Sequence, residues 1–244
     1  LKSDLSIDVL NLHKRLGTTC ALTGATLRFE AGGLYGLIGP DGAGKTTLFR
    51  TLVGLLHPDQ GSVTYRDKNN VIPFAVARAG VAYMPQQQSL YPDLSIDEHL
   101  HFFRDLHQIS QGDFESRRAR LLHLTRLEKF TDRPAGKLSG GMYKKLGLMC
   151  ALLPTPSVLL LDEPTNGVDP ISRREFWELI HELRSEGVLT IIATAYMDEA
   201  ERCAEVYLME KGQVLLSGPP RRILESQNAA NFSELFIRRA GAGE

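Results

Sequence analysis

Cysteine is scarce in this chain. Cys20, Cys150 and Cys203 are the only three, an odd number with no CxxC spacing, which excludes a disulfide framework and a cysteine-built zinc site and points to a reducing compartment. Their expected state is that of buried thiols. Charge of one sign is lacking as well: 28 basic residues against 29 acidic ones leave a net charge of -1. With no global field, any attraction to nucleic acid or to an anionic membrane must be local, and no nucleic-acid partner is expected. Long apolar runs are missing too. The longest stretch without charge, residues 146–161, contains Pro154 and Pro156 and falls short of the roughly 18–20 apolar residues needed to cross a bilayer. The chain begins at Leu1 and shows no secretory signal pattern, so the expectation is a trimmed chain or one segment of a longer polypeptide.

What is present is enough for one large globular domain. The 244 residues are 43% hydrophobic and 23% charged, which allows a substantial core. Short apolar runs at 34–38, 81–84, 158–161 and 190–193 are bounded by Gly, Pro or charge, the pattern of strands buried on both faces. Helical patterns alternate with them. One begins after a Gly-rich turn and runs over 45–54; another opens with Ser95 and Glu98 at capping-box spacing; a third starts at Asp169 and Pro170, a good N-cap and first-turn pair. Such alternation predicts a largely parallel α/β sheet. Residues 5–29 with 62–65 are β-rich and punctuated by Gly, which predicts an antiparallel sheet beside the main one. Residues 95–131 read as helical and carry Arg104, Arg117, Arg118, Arg120 and Arg126, a solvated face or a surface that docks on a membrane partner. A last helix is expected over 233–239.

Gly39, Pro40, Asp41, Gly42, Ala43, Gly44, Lys45 and Thr46 match GxxxxGK[ST], directly after the 34–38 strand and at the start of a helix. Glycines at these places let successive backbone N–H groups curl around an anion, and the helix N-terminus adds its partial positive charge. Lys45 reaches phosphate oxygens and Thr46 can ligate Mg²⁺. Downstream, the apolar run at 158–161 ends in Asp162 and Glu163. Two acids at the end of a buried strand need a cation or a phosphate-bound water nearby, because desolvating unpaired carboxylates costs several kcal/mol each. Asp162 is the candidate Mg²⁺ ligand and Glu163 the group that polarises an attacking water.

Leu138, Ser139, Gly140, Gly141 and Met142 lie about twenty residues before that acidic strand, and with them the chain resembles an ABC ATPase, whose signature reads LSGGQ. Ser followed by two glycines at a helix start is physically a second anion site. The resemblance implies that Ser139, Gly140 and Gly141 contact the γ-phosphate held by a partner domain in a head-to-tail dimer, with Met142 replacing the family Gln. It further implies that Gln86 touches Mg²⁺ and reports nucleotide state, and that residues 166–169, with Asp169, form the D-loop. ATP with Mg²⁺ would be held by residues 39–47, Thr47 included, with Leu16 beside the base. The motifs fall in family order over about residues 5–217, and the chain is most similar to the first cassette of tandem ABC-2-type exporter ATPases. The implied fold is α/β: a P-loop parallel core with an antiparallel β subdomain (1–86 with 132–226), an inserted helical and signature subdomain (87–151), and a C-terminal helix or linker start (227–244), all in one domain spanning 1–244. The implied partners are transmembrane permease domains and a second ATP-binding domain, at the cytoplasmic face of the inner or plasma membrane.

Two positions depart from the family pattern. Thr194, Ala195, Tyr196, Met197, Asp198, Glu199 and Ala200 align with a family stretch T-H-Y-M-D-E-A, so Ala195 stands where the switch histidine is expected; the seven histidines lie at 13, 57, 99, 101, 107, 123 and 181. Leu16 stands where an aromatic would stack on adenine, and it offers no π face. Loss of a preorganised contact to the developing γ-phosphate charge typically costs on the order of a hundred- to a thousandfold in rate. The sequence therefore predicts a site that binds ATP and turns it over slowly, and a non-identical or fused second cassette that supplies the histidine, with a homodimer as the alternative. Two other readings share the nucleotide motifs: a soluble ABC protein acting on ribosomes or DNA, and a regulatory half whose ATP is never turned over. The first would call for basic patches or long insertions.

Overall fold

Apolar runs without polar alternation are stable only where both faces are covered, and the computed structural model, which describes residues 4–87 and 90–241, covers them. Its strands are β1 (Leu5–Leu16), β2 (Thr19–Phe29), β3 (Leu34–Ile38), β4 (Gln60–Asp67), β5 (Asn70–Ile72), β6 (Val81–Met84), β7 (Val158–Asp162), β8 (Leu189–Thr194), β9 (Glu205–Glu210) and β10 (Gln213–Gly218). Its helices are α1 (Lys45–Leu52), α2 (Phe74–Ala77), α3 (Ile96–Leu106), α4 (Gln111–Thr125), α5 (Gly140–Leu152), α6 (Pro170–Ser185), α7 (Met197–Ala200), α8 (Pro220–Ser226) and α9 (Phe232–Gly241). The positions expected at the chain ends, 1–3 and 242–244, and residues 88–89 lie outside the described residues.

The central sheet runs in the order β10-β9-β3-β8-β7-β6, parallel from β9 to β6 and antiparallel only at the β10 edge. Every residue of β3, β7 and β8 is buried. Alternate side chains go to opposite faces. Leu34, Ile38, Leu159, Leu161 and Ile192 pack with Leu146 of α5 and with Trp177 and Ile180 of α6. Tyr35, Leu37, Leu160 and Ile191 pack with Leu48 and Phe49 of α1 and with Ile7 and Phe29 of a second sheet. That second sheet is antiparallel, in the order β2-β1-β4-β5. Phe29 joins the two sheets through edge-on contacts to Tyr35 at 5.1 Å and Tyr207 at 5.4 Å. Each fully buried Leu or Phe contributes about 1.5–3 kcal/mol, so Phe29→Ala would loosen both sheets at once.

Local signals act where the sequence places them. Ser95 and Glu98 form a reciprocal capping box at the start of α3, and Asp169 accepts from the amides of Ile171 and Ser172, with Pro170 in the first turn of α6. Helix α1 ends at Leu52, two residues before Gly54. The arginines of the helical region fit the expected solvated face in part: Arg120 and Arg126 are exposed and Arg104, Arg117 and Arg118 half-buried, and each is engaged within the chain. Arg104 pairs with Asp105, Arg118 with Asp97, Arg120 with Glu186 and Arg126 with Glu175, while Arg117 donates to the Leu153 carbonyl. Cys150 and Cys203 are buried, and burial pushes each thiol up to about 12. Cys20 corrects the expectation of three buried thiols. It is exposed, because it lies one residue past the Thr19 start of β2, next to the tight β1–β2 turn, on the edge strand of its sheet. Among the described residues no helix is long and apolar enough to cross a membrane.

Candidate functional site

Parallel neighbours place their carboxyl ends on one edge of the sheet, and ligands of open α/β sheets bind there. Here the order β3-β8-β7-β6 brings four motifs to one edge: the Gly39–Thr46 loop after β3, Ala195 after β8, Asp162 and Glu163 at the end of β7, and Gln86 just after β6. None of these lies near another in sequence except the acidic pair. The crossover helices bring them together.

The loop closes onto the β1–β2 ribbon. Gly44 has φ of 102°, and a Cβ there would lie 2.4 Å from the Ala21 carbonyl, so no larger residue fits. From Gly44 the chain enters α1, which carries Lys45, Thr46 and Thr47 in its first turn. Lys45 is buried, and its ammonium donates to the carbonyls of Gly39 at 2.6 Å and Pro40 at 3.1 Å and faces Glu163 at 3.5 Å. A cavity of about 420 Å³ opens above this turn, bounded by residues 41–47, by Leu16, Thr19 and Ala21, and by Gln86 and Glu163. Its size suits a small-molecule ligand.

Asp162 is fully buried. Its two oxygens accept from the Thr46 hydroxyl at 3.2 Å and the Tyr83 hydroxyl at 3.1 Å. Burial holds its carboxyl above the usual range, and these two hydrogen bonds and the charge of Lys45 only partly offset that. Burial raises Glu163 as well, against the opposing pull of Lys45 and of the Ala195 amide, which donates to its carboxylate. Glu163 also has φ of 48°, a left-handed conformation rare for a residue with a Cβ. Its own amide donates to the Ala193 carbonyl at 2.8 Å, which fixes the kink that turns its side chain toward Lys45.

The donor set fits Mg²⁺. Thr46 and Asp162 offer hard oxygen atoms side by side, and Mg²⁺ is usually held by one or two protein oxygens together with substrate phosphates. Among the described residues no group of three or more His, Cys, Asp or Glu could hold a metal on its own, so the phosphates would complete the coordination. A divalent cation beside Asp162 would also offset the burial of that carboxylate.

The signature residues do not reach this cavity. Ser139 caps α5, its hydroxyl accepting from the Met142 amide at 3.3 Å, and both Ser139 and Gly140 are exposed. Gly141 is buried against the start of α6: a Cβ there would lie 2.5 Å from the Ser172 hydroxyl and 3.7 Å from an Asp169 carboxylate oxygen. Leu138 and Met142 pack at the edge of the core. Signature and Asp169 are thus neighbours of each other, and neither borders the phosphate loop.

Two residues at the site escaped the sequence reading. Tyr83 belongs to an apolar strand and looks like core; only the pairing of β6 with β7 shows that its hydroxyl meets Asp162. Lys144 lies on α5 and donates to the backbone carbonyl of Gln86 at 3.0 Å. Its amine is held below its ordinary range by burial, while Glu163 and Asp162 pull it back up. The turn after the signature glycines therefore holds the segment containing Gln86.

A family model described as ABC transporter matches residues 22–166. Over 203 residues the chain is 49% identical to a probable multidrug ABC transporter ATP-binding protein, YbhF, of Escherichia coli K12, a match covering 83% of this chain and 35% of that protein. The chain thus spans about a third of the length of that relative. It is 37% identical over 231 residues to the Nod factor export ATP-binding protein I of Burkholderia orbicola, covering 94% of this chain and 76% of that one. A solved ATP-binding subunit of an ABC transporter superposes with a TM-score of 0.82 at 27% identity, covering 95% of this chain and 98% of the other.

Proposed function

The chain belongs to the ABC transporter family of ATP-binding domains, and from that membership we propose that it powers an ABC-2-type exporter by binding and hydrolysing ATP as it closes on a second ATP-binding domain. The observation that carries this reading is the split of the site. Residues 41–47 of the phosphate loop and its helix, with Glu163, line one cavity and Asp162 bonds Thr46 beside it, while Ser139, Gly140 and Gly141 lie outside it. A complete site therefore needs the signature of another domain. The exporter subtype is supported by relatives named for multidrug transport and Nod factor export. In this reading the domain docks on membrane permease domains at the cytoplasmic face and divides into a core (1–86 with 132–226), a helical subdomain (87–151) and a C-terminal segment (227–244).

The backbone N–H groups of residues 41–47 and the Lys45 ammonium hold the phosphates, with Leu16 and Thr19 on the side of the base. Thr46, Asp162 and Gln86 would hold Mg²⁺, which when bound would supply charge neutralisation to the phosphate oxygens. Glu163 orients the attacking water and takes its proton. Burial suits it to that role, because a carboxyl raised toward neutral pH is a better proton acceptor than an exposed one. No side chain extends from position 195 toward the γ-phosphate, so this site turns over slowly, and the faster site is the one formed by the partner's phosphate loop with Ser139 of this chain. Non-identical or fused partners follow from that asymmetry.

Single-turnover phosphate release, measured for the chain alone and with a second cassette carrying an intact switch histidine, tests the reading. We expect Lys45-dependent ATP binding, slow release alone and faster release with the partner. A chain that binds ATP and shows the same negligible release in both arms would instead be a regulatory half. One whose release is stimulated by RNA or DNA would belong to the soluble class.

A further inference from the structure

Glu199 has no place in the site described above, yet its carboxylate is fully buried. It lies on α7, four residues after Ala195. One carboxylate oxygen accepts from the Thr165 hydroxyl at 2.5 Å and from the Trp177 indole N–H at 3.3 Å, and the Arg173 Nε lies 3.8 Å from it. The other carboxylate oxygen and the Arg173 Nε are both buried and without a hydrogen-bond partner. The Arg173 guanidinium lies 4.1 Å above the ring of Tyr196, whose hydroxyl donates to Asn166 Oδ1 at 3.4 Å. A second ion pair, to the exposed Asp198, links Arg173 at 3.7 Å.

These side chains come from three segments: the loop after Glu163 (165–166), the first half of α6 (173–177), and the segment that starts at Ala195 (196–199). A buried carboxylate with two neutral donors and an ion pair at 3.8 Å is a poor way to gain stability, since well-packed apolar residues of similar volume do as well or better. What such a group supplies is fixed relative placement. Each of the three segments has a functional end. The Ala195 amide touches the Glu163 carboxylate, residues 166–169 lead to Asp169, and α6 begins against Gly141 of the signature.

We propose that Glu199 is a positioning residue that binds the 195–200 segment, the 165–169 loop and the start of α6 into one body. The acidic side of this chain's own site then moves together with the surface formed by Asp169 and the signature. The unclosed pair between Arg173 and Glu199 gives the body a second, tighter arrangement: a small approach converts a 3.8 Å separation into a charge-assisted hydrogen bond. The proposal rests on the functional reading above only in taking residues 139–141 and 169 as the surface that meets the second cassette.

The test uses the full chain with ATP, Mg²⁺ and the second cassette, and reads amide hydrogen exchange beside phosphate release. Glu199→Gln keeps the volume and the bonds from Thr165 and Trp177 but removes the charge facing Arg173; Thr165→Val removes the shortest bond; Thr165→Ser restores it. We expect E199Q and T165V each to speed exchange in 164–169 and 195–200 together. Each should lower kcat about tenfold with the ATP KM changed less than twofold, and the double variant should lose no more than either single one, as members of one unit do. T165S should match the parent. Loosening of only one segment, losses that multiply in the double variant, or a lowered Tm with exchange in both segments unchanged would overturn the proposal. Should the parent release no phosphate even with its partner, the functional reading fails, and the exchange pattern alone still decides the role of Glu199.

Discussion

Ala195→His is the sharpest perturbation of the proposed mechanism. Position 195 directly follows β8, is half-buried, and already touches the Glu163 carboxylate through its amide. A histidine placed there starts from a backbone held in register with the acidic pair. One preorganised donor to developing charge accounts for about 2.7–4 kcal/mol in other enzymes, and ordering a new side chain costs about 0.5–1.5 kcal/mol. The difference, about 1.2–3.5 kcal/mol, corresponds to a roughly ten- to several-hundredfold faster hydrolysis at about 1.4 kcal/mol per decade. The assay is steady-state phosphate release at saturating ATP and Mg²⁺ with a second cassette whose own acidic strand is disabled, so that only this chain's site is read, alongside ATP binding to show that affinity is unchanged. A variant that binds ATP like its parent and hydrolyses it no faster would refute the claim that the missing side chain limits turnover.

Two further outcomes follow from the geometry. Gly141→Ala drives a Cβ to 2.5 Å from the Ser172 hydroxyl. Overpacking of this kind costs about 1–3 kcal/mol, or roughly 2–4 °C in Tm per kcal/mol for a domain of this size, and Ser172→Gly in the same chain should recover most of the loss in a thermal melt. The acidic pair gives a pH signature. Asp162 and Glu163 are raised in the folded chain, so the folded state binds more protons than the unfolded one. Stability therefore falls as pH rises from the ordinary carboxylate range through their raised values. Without nucleotide, Glu163→Gln should raise the Tm at neutral pH and leave it nearly unchanged in acid below the ordinary carboxylate range; equal stabilisation at both would contradict the burial argument.

Much of this was readable from residue order. The Gly39–Thr46 loop announced its strand and helix because glycine spacing, an apolar run before it and Lys-Thr after it all demand the same local structure. Ser95 with Glu98, and Asp169 with Pro170, act within one helical turn, so their effect does not depend on the rest of the fold. The strands β9 and β10 were not marked, since residues 205–218 mix charged ends with apolar centres and gain their stability from β3, over 160 positions away. Long-range pairing also hid Tyr83, Lys144 and Glu199. Nothing local separates Asp198, exposed in the structure, from Glu199, fully buried; the turn of α7 against Trp177 decides it. The partners of Arg120 and Arg126 were hidden for the same reason, because Glu186 and Glu175 come from the end and the body of a distant helix.

The left-handed kink at Glu163 sets stability and catalysis against each other. A side chain in that conformation costs on the order of 1–3 kcal/mol, and a buried acid adds to the cost. A library selected for heat resistance alone should therefore lose this glutamate early, to Gly or Asn, residues at ease with positive φ. A library selected for turnover should keep it and accumulate compensating changes elsewhere. The frequency of Glu at position 163 after selection would then record which of the two demands the population had met.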